Sequence, residues 1–164
     1  MFKDLAIWGR FAPIGLAFAL LGFAIDQAFK YWMLYVYNIA SIQPVSVTPF
    51  FDLILVWNTG VSYGWFKSFG PEVLIAGQVL ICLLLWFWLA GSKDRISAIS
   101  VGLIIGGAAG NIADRIAYEA VADFFHLHAF GYNWYVFNIA DVVIVAGAAL
   151  LVYGSIKDMN RKKP

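Results

Sequence analysis

Three pairs of polar residues interrupt apolar sequence at helical spacing: Asp26 with Lys30, Asn111 with Arg115, and Asn138 with Asp141. Separations of three or four residues place both members of a pair on one helix face. Asp26 and Lys30 have the makings of an intrahelical ion pair, and Asp114 beside Arg115 those of an interfacial anchor. Asp141 differs, because no basic residue lies within a turn of it. It needs either a partner from another helix or a proton that keeps it neutral. A further carboxylate, Asp123, stands near His126 and His128 in EAVADFFHLHAFGYN. Two acids brought together cannot both ionise, so one holds a proton while the other polarises water against an amide; a proton relay uses similar groups. The tetrapeptide NIAD occurs twice, at 111–114 and 138–141. Asp114 and Asp141 are therefore both eligible, and pattern alone does not say which carboxylates pair.

Other chemistries lack their residues. There is no HExxH zinc-protease signature, no GxSxG serine elbow and no glycine-rich phosphate loop after a strand. His126 and His128 offer two imidazoles, which alone are weak evidence for a metal, and no metal or other cofactor is expected. Nothing points to nucleic acid. The single cysteine, Cys82, lies among leucines and precludes a disulfide framework within one chain.

Such groups need elements to hold them, and the composition says where those elements lie. Of 164 residues, 62% are hydrophobic and 13% charged, a balance of membrane proteins. Four runs, roughly 11–37, 71–90, 96–116 and 134–155, approach or exceed the ~20 residues that cross a bilayer. The expected fold is an all-α integral membrane protein of one domain: a four-transmembrane-helix bundle with outer loops at about 38–70 and 117–133. The first run, preceded by Lys3 and Arg10, has some look of a signal peptide, but its apolar pattern continues through YWMLYVY and it is read as a retained span. The first loop, with SVTPFFDLILVWNTGVSYGWF, reads as short strands ending in a turn at Asn58, Thr59 and Gly60. The second reads as a short amphipathic helix or a cap over the bundle.

Basic residues set the orientation. Lys3 and Arg10, Lys93 and Arg95, and Lys157, Arg161, Lys162 and Lys163 occupy the N-terminus, the middle connection and the C-terminus, whereas the opposite loops carry only Lys67. Both termini are expected in the cytoplasm. Trp8, Trp86 and Trp88 mark one interface; Tyr31, Trp32, Tyr35, Trp57, Trp65, Tyr132, Trp134 and Tyr135 mark the other. Asp26, Asn111 and Asp141 each stand sixteen residues from a basic residue, Arg10, Arg95 and Lys157. A helical rise of ~1.5 Å puts all three ~24 Å from the inner anchors, at one level in the outer part of the bilayer. Gly102, Gly106 and Gly110 form a small-residue stripe that admits a close neighbour.

The blocks DQAFK (26–30), NTGVSYG (58–64), GGAAGNIADR (106–115), VADFF (121–125) and FNIAD (137–141) occur in an order that resembles the bacterial lipoprotein signal peptidases, signal peptidase II. The resemblance covers nearly the whole chain. It implies an aspartic endopeptidase of the bacterial inner membrane that removes signal peptides from diacylglyceryl-modified prolipoproteins, cutting before the lipidated cysteine. By that resemblance Asp123 and Asp141 match the catalytic pair, while Asp26, Lys30, Asn58, Gly60, Asn111, Asp114, Arg115 and Asn138 match positions that shape the site or hold substrate. It implies an extracytoplasmic β-rich cradle in the first loop and a small extracytoplasmic helix in the second, no cofactor, and a prolipoprotein and membrane lipids as partners. Ala122 and His126 depart from the usual wording beside the first aspartate, as does GVSYG after Asn58. From the residues alone, the rival reading is a proton-coupled carrier or channel component, which lacks repeated halves and polar residues through the cytoplasmic half of the bundle.

Overall fold

A computed structural model describes residues 7–60 and 70–161. Lys3, Trp65, Lys67, Lys162, Lys163 and positions 61–64 of the GVSYG stretch lie outside them. Helix α1, Ala12–Tyr31, starts with Pro13 in its first turn and widens into a π-helical turn over Trp32–Val36. A single-turn helix α2, Ile39–Ile42, leads to strands β1, Val45–Thr48, and β2, Phe51–Asn58. Helices α3, Pro71–Ala90, and α4, Arg95–Tyr118, precede strand β3, Val121–Ala129, the two-residue β4, Tyr132–Asn133, and helix α5, Ile139–Arg161. Among the described residues, four helices are long and apolar enough to cross a membrane.

Helix α4 is the centre of the bundle and packs against α1, α3 and α5. Its glycines make that possible. A Cβ added at Gly102 or Gly106 would collide with the backbone of Gly15 or Ala19 on α1, and one at Gly110 with the Asp26 carboxylate. The stripe thus admits α1 to backbone contact, the close approach that small residues allow between membrane helices. Half of the most apolar window of α4 is buried, against 11% for α3 and for α5. The outer faces of α3 and α5 are apolar and exposed, which suits a lipid surround. At one end of the bundle Asp94 caps α4, its Oδ1 accepting from Ser97 N at 2.9 Å. The α3–α4 connection, Gly9 beside Ala90, and Gly154 beside Ile96 lie at this end, so Arg10, Lys93 and Arg95 are gathered there.

The opposite end carries a four-stranded antiparallel sheet in the order β1-β2-β3-β4. Strands in the first loop were the expectation and are found, with the Asn58 side chain closing the turn by accepting from Gly60 N at 3.0 Å. The amphipathic helix expected in the second loop is instead β3. VADFFHLHA is rich in aromatics, and β2 offers it an open edge; paired there, it turns Ala122 and Phe124 into a core with Met33 and Ile39. Alternation sends Asp123 the other way. The short helix of this end lies in the first connection, as α2. The apolar run beginning at 134 is also not helical until Ile139. Its first residues stay extended because Phe137 exchanges backbone hydrogen bonds with Phe125, N to O at 3.1 Å and O from N at 2.8 Å.

Candidate active site

That backbone seam decides where the last helix begins. Asn138 Oδ1 accepts from Asp141 N at 3.0 Å, and Asp141 Oδ2 accepts from Asn138 N at 3.3 Å. This is a reciprocal capping box, with Asn138 as cap and Asp141 in the first turn of α5. The partner that Asp141 requires is thus the positive end of its own helix, together with Asn111 Nδ2, which donates to its Oδ1 at 3.2 Å. The other NIAD lies within α4, where no helix start exists to be capped. Identical tetrapeptides therefore do different things.

Strand β3 brings Asp123 to the same place. Its Oδ1 accepts from Asn138 Nδ2 at 2.6 Å and its Oδ2 from Asn58 Nδ2 at 3.1 Å. The Asn138 amide also donates to Asn111 Oδ1 at 3.1 Å, so one side chain joins both carboxylates to α4. Asp123 is 2% exposed and its pKa is pushed up to about 7, first by burial and then by the charge of Asp141; hydrogen bonds from Asn58 and Asn138 oppose the rise. A carboxyl group with that value is poised between its protonated and ionised forms near neutrality.

Both acids line a cavity of about 570 Å³, walled by Asn58, Gly60, Asn111, Arg115 and Asn138 on the polar side and by Val73, Leu74, Ile81 and Ile144 on the apolar side. Arg115 donates to Gly60 O at 2.9 Å, to Gln78 Oε1 at 3.0 Å and to Asn111 O at 3.3 Å. Its buried Nε has no hydrogen-bond partner among the described residues.

Asp26, Lys30 and Asp114 do not line the cavity. They form a buried ionic cluster behind it, with Lys30 Nζ 2.8 Å from both Asp26 and Asp114. The intrahelical pair is present and gains a second acid from α4. Each partner is then tied to the site's scaffold. Asp114 accepts from Ala122 N at 3.1 Å, Asp26 from Ala140 N at 2.8 Å, and Lys30 donates to Asn111 at 3.3 Å. One cluster thus fixes β3 next to Asp123, α5 next to Asp141, and the amide between them.

Two contributors escape a reading by charge. Gln27 donates to Asp26, to Asp114 and to Gly110 O, and Gln78 orients Arg115 from α3. Gln78 carried a signal, since it is the sole amide in the apolar run Pro71–Ala90.

The fold and cavity define a class: a four-helix membrane protein with a carboxylate pair, bridged by asparagines, at one end of its bundle. Residues 18–157 match the family described as Signal peptidase (SPase) II, and the chain belongs to that family. It is 49% identical to the lipoprotein signal peptidase of Rhodopseudomonas palustris (strain TIE-1), over 87% of this chain and 92% of that one. It is 50% identical to the lipoprotein signal peptidase of Nitrobacter hamburgensis, over 86% and 90%. Two solved structures described as bacterial membrane enzymes, determined in meso at 2.3 and 1.9 Å, superpose with TM-scores of 0.78 and 0.70, each at 25% identity. The first covers 95% of either chain; the second covers 92% of this chain and 97% of its own. The protein is a multi-pass membrane protease of the signal peptidase II family.

Proposed function

We propose that this chain is an aspartic endopeptidase that cuts diacylglyceryl-modified prolipoproteins before the lipidated cysteine. The carrying observation is that Asp123 and Asp141, from different elements, reach one cavity through a shared asparagine. The family membership and the names of its relatives supply the substrate class.

The charge pattern supports a cytoplasmic location for both termini and an extracytoplasmic one for the sheet and cavity, near the bilayer surface. The cavity lies between α3 and α5, with Val73, Leu74, Ile81 and Ile144 forming an apolar wall for a signal segment arriving from the lipid. The scissile bond then sits against the carboxylates. One carboxylate takes a proton from water as the water oxygen bonds to the peptide carbon, while the protonated partner gives its proton to the carbonyl oxygen. Collapse of the tetrahedral intermediate breaks the C–N bond, and the amine leaves with a proton from the pair. Arg115 and Asn111, which line the cavity, would hold substrate carbonyls or the tetrahedral intermediate.

Purified protein incubated with a diacylglyceryl-modified precursor should release the signal peptide and leave the lipidated cysteine at the new N-terminus. Intact precursor after prolonged incubation with folded protein would refute the reading.

A further inference from the structure

On the outer half of the sheet, apart from the cavity, three potential ligands converge. Asp52 of β2 stands directly across from His126 of β3 in the strand register, and His128 lies two residues further along β3, on the same face. Asp123 is an odd number of residues from both histidines and points to the opposite face. None of the three lines the cavity.

Asp52 Oδ2 is 2.9 Å from His128 Nε2 and 3.8 Å from His126 Nδ1, and one donor atom from each residue falls within 4.8 Å of the other two. A tetrahedral ion with ligand bonds of ~2.0–2.1 Å holds its donors ~3.3–3.4 Å apart, between those two distances. The buried His128 Nε2 finds no well-aligned hydrogen-bond partner among the described residues, and its near polar neighbour is Asp52 Oδ2. When the ring carries its proton on Nδ1, the Nε2 lone pair faces the Asp52 carboxylate, an arrangement that a cation held by both would stabilise. Ser46 Oγ donates to Asp52 Oδ1 at 2.7 Å, which orients the carboxylate and leaves Oδ2 toward the imidazoles. Such outer support is what fixes a ligating carboxylate. Side-chain exposures of 17–29% leave a path for an ion and a solvent ligand.

We propose that Asp52, His126 and His128 form a binding site for a divalent transition-metal ion of the Zn²⁺ type, cross-linking β2 to β3. Two imidazole nitrogens and one carboxylate oxygen, with solvent in the fourth position, are a donor set that zinc accepts. The site does not enter the peptidase chemistry. It clamps the two strands that carry Asn58 and Asp123, so its effect is on the stability of the sheet.

The test uses tag-free, full-length protein in detergent, stripped with EDTA, exchanged into buffer containing Zn²⁺ alone, and freed of unbound metal. Elemental analysis should find about one zinc per chain. The thermal midpoint should rise with added zinc, and X-ray absorption should show imidazole and oxygen ligation. Asp52→Asn, His126→Gln and His128→Gln, each checked for a monodisperse peak and unchanged circular dichroism, should lose both the zinc and the rise. Failure of the wild-type chain to retain zinc, or equal retention by a protein carrying all three substitutions, would overturn the proposal. Neither result depends on peptidase activity.

Discussion

Asp123 and Asp141 have different surroundings, and that asymmetry makes definite predictions at the residue scale. Asp123→Asn and Asp141→Asn should each lower cleavage by at least ~10²–10⁴-fold with insertion retained, because an amide neither accepts the proton of water nor shares one. Asp114→Asn should behave differently. Its carboxylate holds Lys30 and Ala122 N, so the substitution should cost stability, ~1–3 kcal/mol, while the folded fraction still cuts. Cleavage lost in Asp114→Asn with substrate binding intact, and kept in Asp123→Asn, would exchange their roles. Asp52→Asn, measured without added metal, should leave cleavage nearly unchanged.

The raised pKa of Asp123 gives the pH dependence its sign. A group at about 7 is protonated below that value and ionised above it. Chemistry that needs one proton on the pair should therefore fall as pH rises through about 7, with the apparent value belonging to the pair as a whole. The hydrogen bond from Asn138 stabilises the ionised form of Asp123, so Asn138→Ala should raise its pKa further. Cleavage profiles of the two proteins should show the falling limb at higher pH in the variant. A limb that stays in place would mean that Asp123 does not set it.

At the scale of elements, the glycine stripe on α4 and the strand β3 are the two structural requirements of the site. Gly106→Leu inserts a side chain where a Cβ alone would already meet the Ala19 backbone. It should separate α1 from α4, at a cost at or above the ~1–3 kcal/mol typical of overpacking, and displace the Asp26–Lys30–Asp114 cluster that bridges them. Thermal unfolding in detergent measures the loss, and a midpoint equal to wild type would contradict the packing described. The stripe was readable because small residues four apart mark one helix face. The polar pairs were readable because they break apolar sequence. The identity of β3 was not, since a short run such as VADFFHLHA suits a strand or an amphipathic helix and only the open edge of β2 decides between them. The start of α5 was hidden for the same reason: Phe137 belongs to a seam with β3 that no local pattern announces. Gln27 leaves no such signal, because an amide next to an ion pair adds no charge to the pattern.

At the scale of the molecule, the polar groups collect at the sheet end, Lys30 and Arg115 among them, and the remaining described basic residues, such as Arg10, Lys93 and Arg95, lie at the other, while α3 and α5 offer apolar surface between. For the two carboxylates to act together, the reacting bond must be held at their height. A precursor already in the bilayer gains little from moving its acyl chains, so lipid on its cysteine acts mainly by positioning, where small displacements cost ~10²-fold in rate. The unmodified precursor should accordingly be cut far more slowly than the diacylglyceryl form at equal density in vesicles. Equal rates would indicate a general intramembrane protease. The central claim is that Asp123 and Asp141 together hydrolyse this bond, and cleavage of the diacylglyceryl precursor by wild type, Asp123→Asn and Asp141→Asn, reconstituted at equal density in one lipid mixture, tests it directly. The wild type should release the signal peptide and neither variant should do so above background; release at the wild-type rate by either folded variant would contradict the claim.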